Sequence, residues 1–454
     1  MGAAYQAIGE THKAIEAFEK SISINPNFAD AHNNLGLAYQ TQGKPDKAID
    51  AFNKAISINP KYADAYYNRG LSLDYIGNLE KAVESYIKVT LLKPKHAKAY
   101  YSMGMALKKL GKLKNAKDAY QKAIALEPSF GDAYNNLGNV LKSQGLLEDA
   151  TQAYEKSISI NPKSSNAFYN LGIALQELGR IPEATEAYNK AISINPKHDE
   201  ALWNQSGTVS DIKEAKFWIK KCLAANPQHQ KAMLTSSALQ YYEGNQIEFG
   251  KLMNSTLKDH PYVRAFNWVF SLPHLPPLHF NRWALFDHMV NLSVRDRPFY
   301  EFGVWRGEAF RYLMKTYKKG FGFDTFEGLP EDWHHEQAGT YSSEGNIPKI
   351  KGGEFIVGKF DETLPTFFEK SRPMASIINF DADLYSSTIC ALNYAKRVID
   401  KHTILIFDEF LMNNNWEDDE HKALVEFCSK NNCSYEVIAV SFFTKQVAVK
   451  LINI

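Results

Sequence analysis

The stretch from Asn34 to Pro60, NLGLAYQTQGKPDKAIDAFNKAISINP, recurs along the first half of the chain with small changes. Prolines stand at 26, 60, 94, 128, 162 and 196. Glycines keep two registers of the same 34-residue period, one at 2, 36, 70, 104, 138 and 172, the other at 9, 43, 77, 111, 145 and 179. Alanines follow at 14, 48, 82, 116, 150 and 184. Small residues such as Gly36 and Ala48 let two helices of one unit approach closely. Phe52 and its equivalents Tyr86, Tyr120, Tyr154 and Tyr188 are expected to fill the space between units. The prolines end each second helix, since proline cannot continue one. A hairpin of this kind buries its apolar face only against its neighbours, so the pattern predicts an α-solenoid with a concave groove.

The period and its Leu-Gly, Ala, aromatic and Pro positions resemble the tetratricopeptide repeat. The repeats frame as a partial unit at 1–28, full units from 29, 63, 97, 131 and 165, and a seventh from 199 to about 229 that is three residues short. Opening inside a first helix, the array is expected to continue upstream of Met1 in the natural protein. The residue before each Leu-Gly position is Asn34, Asn68, Ser102, Asn136, Asn170 or Asn204. This row resembles the asparagine ladder in the repeats of O-linked N-acetylglucosamine transferase. A row of amides, each donor and acceptor, can hold an extended protein or peptide partner without reading its side chains. The plainer alternative is consensus asparagines facing water.

Lys+Arg 52 against Asp+Glu 51 gives a net charge of +1, so no global field favours nucleic acid or an anionic membrane. No apolar run approaches the roughly 20 residues that span a bilayer, and no secretory signal is legible. The reading is therefore a cytoplasmic protein. Its cysteines, Cys222, Cys390, Cys428 and Cys433, lack zinc spacing and read as reduced thiols.

After residue 229 the register is lost. Segments 230–272 read as helices capping the solenoid, and Pro273, Pro276 and Pro277 as a stiff connector opening a linker with a lead-in helix at 273–297. That helix, Asn281–Leu292, either covers an active-site mouth or packs on a sheet. From 298 to 454 short apolar runs at 298–303, 319–324, 354–358, 375–381, 403–408, 434–441 and 446–452 predict strands with helices between the first five. That makes an α/β doubly wound, mostly parallel seven-stranded sheet whose last two strands form a hairpin. Four phrases end those runs: Glu301-Phe302-Gly303-Val304-Trp305-Arg306-Gly307, Phe323-Asp324-Thr325-Phe326-Glu327-Gly328-Leu329-Pro330, Phe380-Asp381-Ala382-Asp383-Leu384-Tyr385 and Ile406-Phe407-Asp408-Glu409. In such sheets ligands bind outside the carboxyl ends of the strands, so the phrases are expected to share one crevice.

Their order and wording resemble the S-adenosylmethionine-dependent methyltransferases, and within them the macrocin O-methyltransferase family of sugar methylases. The resemblance implies a Rossmann-like domain binding S-adenosylmethionine, with Glu301 on the methionine amino group, and Gly303, Trp305 and Gly307 in the loop ahead of helix Glu308–Tyr317. Asp324 would take the ribose hydroxyls, unless it caps a turn. Phe360 and Asp361 would flank adenine, though Phe360 equally reads as core. Asp381, Asp408 and Glu409 form an acidic cluster whose mutual repulsion a hard cation, Mg²⁺, would relieve. In the family, paired aspartates at the positions of Asp408 and Glu409 help bind such a metal, and Glu409 departs from that pair. The alternative is carboxylates bonded to backbone amides in a metal-free enzyme. Asp383 reads first as a helix N-cap. Asp381, with loop residues His334 and His335 as candidate bases, would serve methyl transfer to a sugar or glycan hydroxyl. A solenoid scaffold with an inactive second half, and a protein methyltransferase, are the competing readings.

Overall fold

The computed structural model describes residues 1–334 and 338–454. Helices come in pairs from Gly2–Ala7 and Thr11–Ile24, through Ala29–Thr41 and Pro45–Ile58, to Asp199–Ser206 and Ile212–Ala225. Within each of the first six hairpins the second-register glycine takes the left-handed conformation, for example Gly43 at φ 70° and Gly145 at φ 67°. The aromatic positions close their own hairpins rather than the gaps between units, which corrects the expectation. A Cβ on Gly36 would lie 2.5 Å from the ring of Phe52, and one on Gly138 2.5 Å from that of Tyr154. The three residues missing from the seventh repeat come out of its first hairpin arm. That helix, Asp199–Ser206, has 8 residues against 13 in Ala29–Thr41.

The chain divides into two compact units, Met1–Leu171 and Gly172–Ile454. The second unit thus runs through Pro273–Pro277 without a break, and the reason lies in helix Gln230–Tyr242. Its Ala232 and Leu239 pack with Leu202, Ile219 and Cys222 of the last repeat. Its Leu234 and Ala238 enter the cluster that holds Phe302, Phe380 and Phe407 of the sheet. Val263, Phe266 and Val269 of helix Pro261–Phe270 join the same cluster. Segment 230–272 is thus a cover for one face of the sheet as well as a continuation of the repeats.

Among the described residues the sheet has eight strands: β1 Leu278–His279, β2 Phe299–Phe302, β3 Gly320–Asp324, β4 Gly353–Val357, β5 Ile377–Phe380, β6 Ile404–Phe407, β7 Ser434–Ser441 and β8 Val447–Ile452. Their order is β1-β7-β8-β6-β5-β2-β3-β4. Only β8 is antiparallel to its neighbours, as the expected final hairpin requires. The strand not anticipated is β1, a two-residue pair beside β7 formed by the proline-rich connector itself. β2, β5 and β6 are buried on both faces, which is why they read as continuous apolar runs. Each of the four central strands carries a phenylalanine in the same register. The rings of Phe323, Phe302, Phe380 and Phe407 stack in that order at 4.7, 5.4 and 4.8 Å between centroids. This ladder brings the residue after each phenylalanine, or the phenylalanine-capped strand end itself, to one rim.

Candidate active site at the sheet switch point

Strand order reverses at β2, which runs to β3 and β4 on one side while β5 and β6 lie on the other. The rim outside the carboxyl ends of β2 and β5 is therefore the switch-point crevice. It carries Gly303, Asp324, Asp381 and Asp408, as the sequence led us to expect. Gly303 has φ 85° and donates its N–H to Phe323 O at 2.9 Å. A Cβ there would sit 1.8 Å from Asp381 O, so the β2 loop and the β5 loop touch backbone to backbone. Gly307, at φ 81°, begins helix Glu308–Leu313. This helix is six residues long and stops short of the expected Tyr317, too short to serve as an anion site on its own.

Asp324 ends β3, but its carboxylate is largely occupied. Oδ2 accepts from the N–H groups of Val304 and Trp305, both at 2.7 Å, and Oδ1 accepts from Phe326 N at 2.6 Å. It ties the β2 loop, where Trp305 is held at φ 47°, to its own turn. The turn-cap alternative is what the geometry carries, and ribose binding would have to use lone pairs left over. Phe360 begins helix Phe360–Glu369 with its ring against Phe302 at 5.6 Å, the core alternative. Asp361, beside it, is exposed.

Glu301 is 1% exposed and its Oε2 has no partner among the described residues. Burial, and then Asp381, pushes its carboxyl well above the usual range, with Arg282 opposing. Paired with it in register is Asn379 of β5, fully buried with both amide atoms unpartnered. The sequence offered one sign of it, a polar residue inside the run Ile377-Ile378-Asn379-Phe380.

The expected metal cluster is arranged differently. Asp381 Oδ2 and Asp408 Oδ2 both face Arg282, whose Nη2 lies 3.3 Å from the first and 2.5 Å from the second. Gln446 Nε2 donates to the other oxygen of Asp408. Glu409 is turned to Lys445 Nζ at 2.6 Å and Asn413 Nδ2 at 2.9 Å. Among the described residues no three His, Cys, Asp or Glu side chains are grouped so as to hold a metal ion. The donor set therefore does not fit the expected Mg²⁺: a guanidinium neutralises the aspartates, and the third ligand points elsewhere. Burial, with Asp408 next, still raises Asp381 well above the ordinary carboxylate range.

Asp383 is not an N-cap. It sits at φ 56°, Leu384 holds the N-cap place of helix Tyr385–Ala395, and no side chain bonds there. Beyond it Glu420 is fully buried with neither oxygen partnered among the described residues, a residue that no motif had marked. His334 pairs through Nε2 with Asp419 Oδ2 at 2.9 Å, and Glu331 accepts from Ser386 Oγ at 2.6 Å. The loop after β3 is thus fastened over the β5 and β6 loops. His335 lies outside the described residues.

In the repeats, the candidate groove residues Asn68, Asn136 and Asn170 spend donors on side chains of the preceding repeat. Asn68 Nδ2 reaches Asn33 Oδ1 and Asn170 Nδ2 reaches Asn135 Oδ1, both at 3.0 Å, while Asn136 Nδ2 reaches Tyr101 OH at 2.9 Å. Asn34 Oδ1 accepts from Asn33 at 3.4 Å. Asn204 is half-buried in the second unit. The row exists, and in the first unit three of its amides act as staples between successive repeats.

Residues 29–62, 97–130 and 165–198, and also 51–84 and 119–152, match tetratricopeptide repeat families, and residues 2–43 and 138–179 match a TPR repeat family. No curated protein matches the chain. Among solved structures, one described as the crystal structure of MamA is 35% identical, covering 36% of this chain and 95% of its own, with a TM-score of 0.35. YrrB, described as a TPR protein with an unusual peptide-binding site, is 26% identical over 41% of this chain and 97% of its own, with a TM-score of 0.38. The PilF protein of Pseudomonas aeruginosa is 20% identical over 45% and 93%, with a TM-score of 0.41.

Proposed function

We propose that this chain, whose residues 2–198 form a tetratricopeptide repeat array, is an S-adenosylmethionine-dependent O-methyltransferase. Its acceptor is a sugar or glycan hydroxyl, and the repeats recruit the protein or peptide partner. The observation that carries the enzymatic half is the charge balance at the switch point. Glu301, Asp381 and Asp408 meet one cation, Arg282, and Glu301 keeps an open, buried oxygen. Such a site is short of positive charge and of hydrogen-bond donors. A ligand with an ammonium and a sulfonium group supplies both, and its sulfonium carries the methyl group to be transferred.

The chain's own residues then have separable tasks. Glu301 accepts from the ligand ammonium. Gly303, having no Cβ, lets the loop lie against the Asp381 backbone, and Asp324 fixes that loop. Asp381, with its raised proton affinity, takes the proton of the attacking hydroxyl while Arg282 holds the carboxylate in place. The loop carrying His334 excludes water by its attachment to Asp419. No step passes through a metal.

The test is transfer of a labelled methyl group by the full chain to glycan-bearing fractions of a lysate. Label in carbohydrate, lost in Asp381→Asn, is the expected result. Label in protein side chains would move the reading to protein methylation. The scaffold reading is favoured by the repeat match, and it gains if no fraction is labelled and the cofactor does not bind.

A further inference from the structure

Arg282 entered no motif, yet its guanidinium meets both Asp381 and Asp408. It is the first residue of helix Arg282–Leu292, and the chain on both sides of it is fastened to repeat loops. Asn281 caps the helix by accepting from Ala284 N at 2.9 Å, and its Nδ2 donates to Gly207 O at 3.2 Å. Trp283 Nε1 donates to Gln176 O at 2.7 Å, and its ring lies 3.2 Å from where a Cβ on Gly179 would be. Gly207 closes the first helix of the seventh repeat, and Gln176 and Gly179 lie at the end of that of the sixth.

We propose that Arg282, held in place by the sixth and seventh repeats, is a positioning residue that occupies the cation position between Asp381 and Asp408 and makes the site independent of a divalent metal. A guanidinium is permanently charged and offers several donors, so one group can serve two carboxylates. Of the other oxygens, Asp408 Oδ1 accepts from Gln446, and Glu409 is turned to Lys445 and Asn413. A hard cation at the same point would have to displace the guanidinium, against direct like-charge repulsion. The proposal rests on the methyl-transfer reading for the site's purpose, but its test needs no cofactor, so either can fail alone.

The test is titration of the full chain with Mn²⁺, followed by electron paramagnetic resonance of the free ion. Wild type is expected to show no stoichiometric site. Arg282→Ala should gain one, with affinity at least about tenfold above wild type, because a partly buried carboxylate pair is left without its cation. Arg282→Lys keeps the charge and should exclude Mn²⁺ as wild type does, which separates charge from folding. Asn281→Ala and Trp283→Phe loosen the tether without touching the aspartates and should each raise Mn²⁺ affinity several-fold. Stoichiometric Mn²⁺ binding by wild type overturns the proposal. So does a folded Arg282→Ala that gains no site. Unchanged exclusion in both tether variants would remove the role of the repeats. Should Arg282→Ala not fold, the wild-type and Arg282→Lys titrations still decide.

Discussion

Among the described glycines, Gly303 is the one at which an added Cβ would meet the closest atom. Its left-handed φ and the 1.8 Å approach of a notional Cβ to Asp381 O leave no room for any side chain. Gly303→Ala should therefore push the β2 and β5 loops apart and lower stability by roughly 2–4 kcal/mol, as strained-backbone substitutions do. Denaturant unfolding would measure it, and a change under about 0.5 kcal/mol would contradict the contact. Asp324 makes a different demand. Removing its carboxylate leaves the amides of Val304, Trp305 and Phe326 without acceptors, each at a cost of about 1–3 kcal/mol if water cannot reach them. Hydrogen exchange at those amides should rise in Asp324→Ala before any ligand is added. A role confined to ribose would leave exchange in the unliganded protein unaltered.

At the scale of elements, the strands were legible because Phe302, Phe323, Phe380 and Phe407 each close an apolar run and precede glycine or aspartate. The stack of their rings is the physical counterpart of that wording. Phe380→Ala, at the middle of the stack, should cost about 3–5 kcal/mol. The opposite ends of the strands carry a pH-sensitive contact. Arg297, ahead of β2, donates to Asp400, ahead of β6, at 2.9 Å. That bond, helped by the His402 amide and opposed by burial, holds the Asp400 carboxyl from its ordinary 3.8 down to about 2. A depressed folded pKa gives stability that is present above the unfolded value and is lost as pH falls through the folded one. Between about pH 4 and pH 2 wild type should lose about 1 kcal/mol more than Asp400→Asn, the screened value of a partly exposed pair. Other elements were not legible for definite reasons. Helix Gln230–Tyr242 faces apolar surface on two sides, so it shows no single stripe that names its partner. β1 has two residues and no pattern at all. Arg282 reads as a surface cation in sequence, because only the fold brings it to Asp381 and Asp408, 99 and 126 positions further along.

For the whole molecule, the division at Leu171 and Gly172 changes what can be cut. A chain starting at residue 273 exposes the sheet face covered by Leu234, Val263, Phe266 and Val269. It should be insoluble or molten by near-ultraviolet circular dichroism, whereas one starting at residue 165, which keeps helix Ser165–Glu177 whole, should fold. A well-folded chain from residue 273 would contradict the shared core. In the first unit, Asn68, Asn136 and Asn170 join successive repeats, so their alanine variants should lower the unfolding free energy even with no partner present, by about 0.5–1.5 kcal/mol each. The array's period could be read from the prolines alone, but this use of its asparagines could not, since the amide partners lie 35 residues away. The central claim is that the switch-point crevice takes S-adenosylmethionine through Glu301. Calorimetric titration of the full chain with S-adenosylhomocysteine tests it most directly. The account predicts saturable binding at one site in the presence of EDTA, weakened in Glu301→Gln by about 1.5–3 kcal/mol, the value of a hydrogen bond to a charged group. Absence of binding by the folded wild-type chain, or equal affinity in Glu301→Gln, would contradict it.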